Sequence, residues 1–131
     1  MIKTVFVDTS AIAALLNKGD QNHQHARDIL GQLQENQTVL IITNYVRAET
    51  HALLLHRAGI VIASKFLSSK SFYLEWVGRE DEKKAIEIIK RYRDKKFSLT
   101  DAVSFVIMER MDLKTVFTYD HHFAQYGWQV L

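Results

Sequence analysis

Four carboxylates stand where a fold could bring them together: Asp8, Glu49, Asp101 and Asp120. Asp8 and Asp120 each follow a short β-branched or aromatic run, VFV and VFTY, while Asp101 opens a helix-like segment and Glu49 sits inside another. Gathered carboxylates repel; two unit charges 4 Å apart cost about 4 kcal/mol at an effective dielectric of 20. A protein that collects them must raise a pKa or supply counter-charge. Magnesium or manganese supplies it, and oxygen donors suit these hard ions while leaving positions for water. The chemistry to expect is metal-assisted hydrolysis of a phosphodiester, with one ion or with two about 4 Å apart. In that scheme Asp101 or Asp120 could orient the attacking water instead of holding metal.

Each acid also has a local explanation. Asp8 could form a turn or cap a helix, and Asp120 could be a turn residue. Asp101 sits in the first helical turn, where unpaired amides and the helix dipole favour acids. Glu49 shares a helical stripe with Val46 and Leu53, flanked by Ala48 and Ala52. Held there, it either pairs with a neighbouring segment or is turned inward for a reason.

The elements that must position these residues alternate. Ile2 to Val7 reads as a buried strand. Ser10 is the expected cap of a helix beginning at Ala11, and Gly19 and Asp20 end it. Gln24–Gln34 reads as a helix with Ala26, Ile29, Leu30 and Leu33 on one side. Val39–Ile42 is apolar throughout, as expected of a strand covered on both faces. Asn44 is the expected cap of a helix to about Ala58, closed by Gly59, and Ile60–Leu67 continues as a short helix. Phe72–Val77 reads as a third strand. Glu80–Arg93 reads as an amphipathic helix with Ala85, Ile86, Ile89 and Tyr92 inward. Thr100 is the expected cap of a helix from Asp101 to Arg110 or Met111, Thr115–Thr118 is a fourth strand, and Trp128–Leu131 an edge strand. The pattern predicts an α/β fold, helices around a mostly parallel central sheet. Ligands in such sheets bind beyond the carboxyl ends of the strands, where Asp8 and Asp120 fall.

The 131 residues, 47% of them apolar, fit one domain spanning 1–131 with a real core. With no cysteine there is no disulfide, no thiolate chemistry and no sign of an extracellular setting. No apolar run reaches membrane-spanning length, and Asp8 interrupts the N-terminal apolar stretch, so neither a membrane span nor a signal peptide is expected. A cytoplasmic location follows as an expectation. The net charge of +2 permits a nucleic-acid partner without requiring one. Lys90–Lys96 is the densest basic stretch, readable as a solvated helix end or as a phosphate contact.

Arg47, Arg79 and Lys18 are further candidates for substrate phosphate. Tyr45, Tyr119 and Tyr126 could stack on a base, or could fill the rim of the site. His121 and His122 follow Asp120 directly; either could be a metal ligand or a proton shuttle, but the aspartates already suffice for a hard ion, and a place at the surface or behind the ligands is expected. His51 and His56 are not four apart and lack the helical zinc spacing. Ile60, Ile62 and Phe66 could line a dimer or partner groove, or belong to the core.

The chain resembles the PIN-domain ribonuclease family, and within it the small VapC-type toxins. The resemblance rests on VFVDTSAIAALL at 5–16, TNYVRAETHALL at 43–54, SLTDAVSFVIMERM at 98–111 and TVFTYDHHF at 115–123, in this order over nearly the whole chain. It implies a three-layer helix–sheet–helix fold, an acidic pocket for Mg2+ or Mn2+, and cleavage of RNA. By position it assigns the four family acids to Asp8, Glu49, Asp101 and Asp120, with Thr9, Ser10 and Thr118 as the hydroxyl residues beside them. It also implies a small antitoxin protein as partner and, commonly, a homodimer. Other PIN domains serve in RNA processing, and the same metal logic would suit a DNA-directed nuclease. A phosphatase with two acids spaced Asp-x-Asp is disfavoured, because the first strand is followed by Asp8-Thr9-Ser10. A non-catalytic acidic pocket that binds a basic partner is the remaining rival.

Overall fold

The computed structural model describes residues 3–131, so Ile2 of the expected first strand lies outside the described residues. Among the described residues five strands form one sheet: β1 (Thr4–Val7), β2 (Val39–Thr43), β3 (Tyr73–Glu75), β4 (Thr115–Phe117) and β5 (Gln129–Val130). Their order is β3-β2-β1-β4-β5, and every described pairing is parallel. The chain therefore builds outward from β1 in one direction through β2 and β3. It then returns to the other side of β1 for β4 and β5. This reversal makes the crevice beyond the carboxyl ends of β1 and β4 the topological switch point of the sheet.

Among the described residues seven α-helices flank the sheet: α1 (Thr9–Leu16), α2 (His23–Glu35), α3 (Asn44–Arg57), α4 (Ile60–Leu67), α5 (Arg79–Arg91), α6 (Leu99–Arg110) and α7 (His122–Tyr126). No helix among the described residues is long and apolar enough to cross a membrane. The central strand is buried at Val5, Phe6 and Val7, and α6 is buried continuously from Asp101 to Met108. Phe105 of α6 packs against Phe97, Phe123 and Tyr126, which closes the core beneath α7. The short α7 was not expected from the sequence; its five residues are too few for a periodic pattern to emerge.

The three expected caps are each displaced by one or two residues. Asp8, not Ser10, caps α1, and the helix starts at Thr9. Thr43, not Asn44, caps α3 by accepting from Val46 N. Asn44 instead accepts from Val77 N at 2.8 Å and ties the segment after β3 to α3. Ser98, not Thr100, caps α6 in a reciprocal box with Asp101. In each case a second polar residue close by in sequence offered an equally good local signal, and the tertiary position of the preceding chain selected between them.

Two inward stripes also differ from expectation by a single position. In α3 the buried residues are Val46, Thr50 and Leu54, so Glu49, Ala48 and Ala52 face outward. In α5 they are Asp81, Ala85 and Ile88, while Ile86 is exposed. Asp81 is drawn inward by Arg110 of α6, which grips both its oxygens at 3.0 and 3.1 Å and reaches Glu75 of β3 at 3.0 Å.

Thr43 tests the revised cap of α3. Its side chain is fully buried, and Thr43→Val preserves volume while leaving Val46 N without an acceptor. The expected loss is about 1–2 kcal/mol in urea unfolding, whereas Asn44→Ala leaves the cap intact.

Candidate metal centre

The acids sit around the switch-point crevice. Asp8 follows β1 directly and is 4% exposed. Its Oδ2 accepts from Ser10 Oγ and Thr118 Oγ1, both at 2.9 Å, and from Ser10 N at 3.5 Å. The two hydroxyls are themselves acceptors, Ser10 Oγ from Tyr119 N and Thr118 Oγ1 from Asp120 N, both at 2.9 Å. A latch of side chains and amides thus joins the end of β1 to the end of β4. Thr9 lies in the floor, where its Oγ1 accepts from Thr50 Oγ1 at 3.2 Å. That contact seats the turn of α3 carrying Glu49 against the start of α1.

Asp101 is 6% exposed and sits in the first turn of α6. Its Oδ2 accepts from Ser98 N at 3.1 Å and faces His122 Nδ1 at 2.8 Å. An ionised carboxylate only accepts, so this contact pairs an ionised Asp101 with a His122 that carries a proton on Nδ1. The same ring nitrogen is 3.4 Å from Asp120 Oδ1, and Asp120 Oδ1 also accepts from His122 N at 2.9 Å. His122 therefore stands between Asp101 and Asp120, while Phe97 holds its ring edge-on.

Asp8, Glu49 and Asp120 line one open cavity of about 480 Å³, together with Asp20, Arg57 and Tyr119. Asp101 reaches this group through His122 and through its charge on Asp8. The Asp8 carboxyl is pushed up to about 6, chiefly by burial and further by the Asp101 charge, against the lowering effect of the Ser10 and Thr118 hydrogen bonds. Among the described residues no ion pair joins a Lys or Arg to Asp8, Glu49, Asp101 or Asp120. The donor set is thus oxygen-rich, short of positive charge and partly desolvated, which fits a hard divalent cation.

The other candidates lie elsewhere. Arg47 lines a smaller cavity with Phe66 and Phe72, and Arg79 a further one beside Lys83. Lys18 is exposed on the loop after α1, next to cavity residues Asn17 and Gly19. Tyr119 reaches the cavity with its hydroxyl against His25 Nδ1 at 2.6 Å. Tyr126 is stacked on Phe105, and Tyr45 hydrogen-bonds to Glu82. Sequence reasoning missed Arg57, although Glu49, Leu53 and Arg57 recur every four residues on one face of α3. His122, expected at the surface or behind the ligands, lies behind Asp101 and Asp120; the sequence carries no local signal for its contact with Asp101.

The family model described as PIN domain matches residues 5–129. The chain belongs to the PIN-domain family. Among related PIN-domain proteins, the 23S rRNA-specific endonuclease VapC20 of Mycobacterium tuberculosis is 32% identical over 126 residues, 94% of each chain. A VapC ribonuclease of Archaeoglobus fulgidus is also 32% identical, over 90% of this chain and 78% of that one. The crystal structure of M. tuberculosis VapC20, described as a sarcin-ricin loop cleaving toxin, matches with a TM-score of 0.86 and 30% identity over 95% of both chains. The three-layer fold around a parallel sheet is thereby the PIN-like architecture.

Substitutions at two positions probe this PIN-domain crevice without divalent ions. The Asp8 value of about 6 stands above 3.8, so proton-linked stability is fully present below about pH 3.8 and lost as pH rises through about 6. Asp8→Asn removes that dependence. Urea unfolding should find it more stable than wild type at pH 7.5, by on the order of 3 kcal/mol at most, with the gap closing near pH 4. Thr118→Val strips an acceptor from Asp120 N and a donor from Asp8, and should cost about 1–3 kcal/mol, largely restored in Thr118→Ser.

Proposed function

We propose that this chain is a divalent-metal-dependent endoribonuclease that hydrolyses RNA phosphodiester bonds, and the toxin of a type II toxin–antitoxin pair. One observation carries the reading: a buried carboxylate, Asp8, with its pKa raised, opens on a crevice shared with Glu49 and Asp120 and lacks any described cationic partner. The names of the VapC relatives support it, since they are a 23S rRNA-specific endonuclease and a ribonuclease. A single PIN-like nuclease domain accounts for the region matched by the family.

In this reading Asp8, Glu49, Asp101 and Asp120 hold Mg2+ or Mn2+. When bound, such an ion lowers the pKa of a water and offsets the negative charge that builds on the phosphate in the transition state. The remaining work falls to the chain. Ser10 and Thr118 fix the Asp8 carboxylate by the hydroxyl bonds to Oδ2, and Thr9 with Thr50 seats α3. His122 holds Asp101 so that the carboxylate cannot rotate away from the crevice. Arg57, on the same cavity wall as Glu49, can donate to a non-bridging phosphate oxygen without entering the acid cluster. Lys18, Arg47 and Arg79 could touch more distant phosphates of a bound strand. A small antitoxin protein would silence the site in the cell, and a homodimer remains part of the proposal.

Cleavage of defined RNAs in magnesium and in manganese tests the reading, beside matched single- and double-stranded DNA. A sarcin-ricin hairpin is the first RNA to try. Wild type should cut RNA only with the ion present and leave DNA intact. Asp8→Asn, Glu49→Gln and Asp120→Asn should each slow cleavage by at least about 10²-fold, the scale of losing one transition-state stabiliser. Full cleavage by these variants, or metal-independent cutting, overturns the metal mechanism. Cleavage of DNA in place of RNA transfers the activity to a DNA-directed nuclease.

A further inference from the structure

Beside the four-acid crevice lies a second constellation of different chemistry. Asp120, His121 and His122 each offer one ligand atom, and the three atoms lie within 4.8 Å of one another. Asp120 Oδ1 is 3.4 Å from His122 Nδ1 and 3.8 Å from His121 Nδ1. Zinc bonds of about 2.0–2.1 Å in a tetrahedron put neighbouring ligand atoms roughly 3.3–3.4 Å apart. The two spacings from Asp120 need at most a few tenths of an ångström of closure, while the two imidazoles, with ring centroids 4.6 Å apart and ligand atoms within 4.8 Å, close by side-chain rotation.

We propose that Asp120, His121 and His122 form a binding site for a zinc-class divalent cation, and that filling it switches off the neighbouring acidic crevice. Two imidazoles and one carboxylate suit borderline-soft zinc, whereas magnesium prefers all-oxygen surroundings. The three residues are consecutive at the start of α7, so the site needs no distant segment to move. His121 is the gate: its side chain is 73% exposed, it lies outside the crevice lining, and it turns a paired acid and histidine into a three-point grip.

Silencing follows from shared atoms. His122 Nδ1, which now donates to Asp101 at 2.8 Å, becomes a zinc ligand; its proton moves to Nε2, and Asp101 loses its partner. Asp120 Oδ1 is engaged at the same time. Two of the four crevice acids are thereby altered by an ion held beside them. The zinc-binding half of the proposal stands on geometry alone; the silencing half rests on the nuclease reading.

The test titrates Zn2+ against a chromophoric chelator in excess Mg2+, using wild type, His121→Ala and His121→Gln. Wild type should bind one zinc, and both variants should bind at least tenfold more weakly. Magnesium-dependent RNA cleavage by His121→Ala should match wild type without zinc, but zinc should inhibit only wild type. Equal zinc affinity in wild type and His121→Ala, or no saturable binding to wild type, overturns the site. Tight binding that leaves cleavage untouched overturns the silencing. If no RNA is cut under any condition, the nuclease reading fails, while the chelator titration still decides the zinc site.

Discussion

The crevice depends on two hydroxyls that share one carboxylate oxygen. Ser10 and Thr118 each carry a single hydroxyl hydrogen, and both point at Asp8 Oδ2. Their own oxygens stand 3.1 Å apart, within hydrogen-bond reach of each other, so the two hydroxyls and the carboxylate form one compact cluster. Because Tyr119 N and Asp120 N donate into the same two oxygens, the backbone that carries Asp120 is fixed relative to Asp8. Parallel pairing of β1 with β4 brings the strand ends together, and the latch sets how the two acids face each other.

The latch also explains how a buried acid is tolerated. Burial raises the Asp8 pKa and the Asp101 charge raises it further, while hydrogen bonds to a charged acceptor, each contributing about 1.5–3 kcal/mol, recover part of the loss. The balance stays unfavourable to the charged form. In the metal-bound state proposed above, an ion would relieve this repulsion as well as form new contacts, so lower stability of the metal-free fold and higher affinity for the ion would be one property seen from two sides.

Strand positions, the α/β class and the switch-point location of Asp8 and Asp120 were legible because buried parallel strands read as unbroken apolar runs ending in a polar residue. Less was legible where two residues compete locally. Thr43 and Asn44, Ser98 and Thr100, and Asp8 and Ser10 are each pairs of good caps, and the choice depends on where the preceding strand or loop ends in space. The α3 stripe was misread by one position because Thr50, a polar residue, occupies the buried face where it meets Thr9. Glu49 consequently looked from sequence alone as if it shared the inward stripe, at its edge or within it, although it reaches the crevice from an exposed face. Contacts across long sequence separations, such as His122 with Asp101, leave no periodic trace.

The local explanations of the acids hold, and they are compatible with the proposed chemical one. Asp101 sits at the third position of a helix, where it accepts from the cap amide, and the same oxygen meets His122 at the crevice. Asp8 caps α1 and still lines the cavity. Both buried acids thus lie at helix N-termini, where unpaired amides and the dipole bring partial positive charge without bringing a competing cation. Glu49, exposed in the middle of α3, has water for that purpose and needs no such placement. A lysine or arginine in the same role would neutralise the acids permanently. Helix ends stabilise the buried acids without pairing them, which leaves their charge available to the divalent ion of the proposed mechanism.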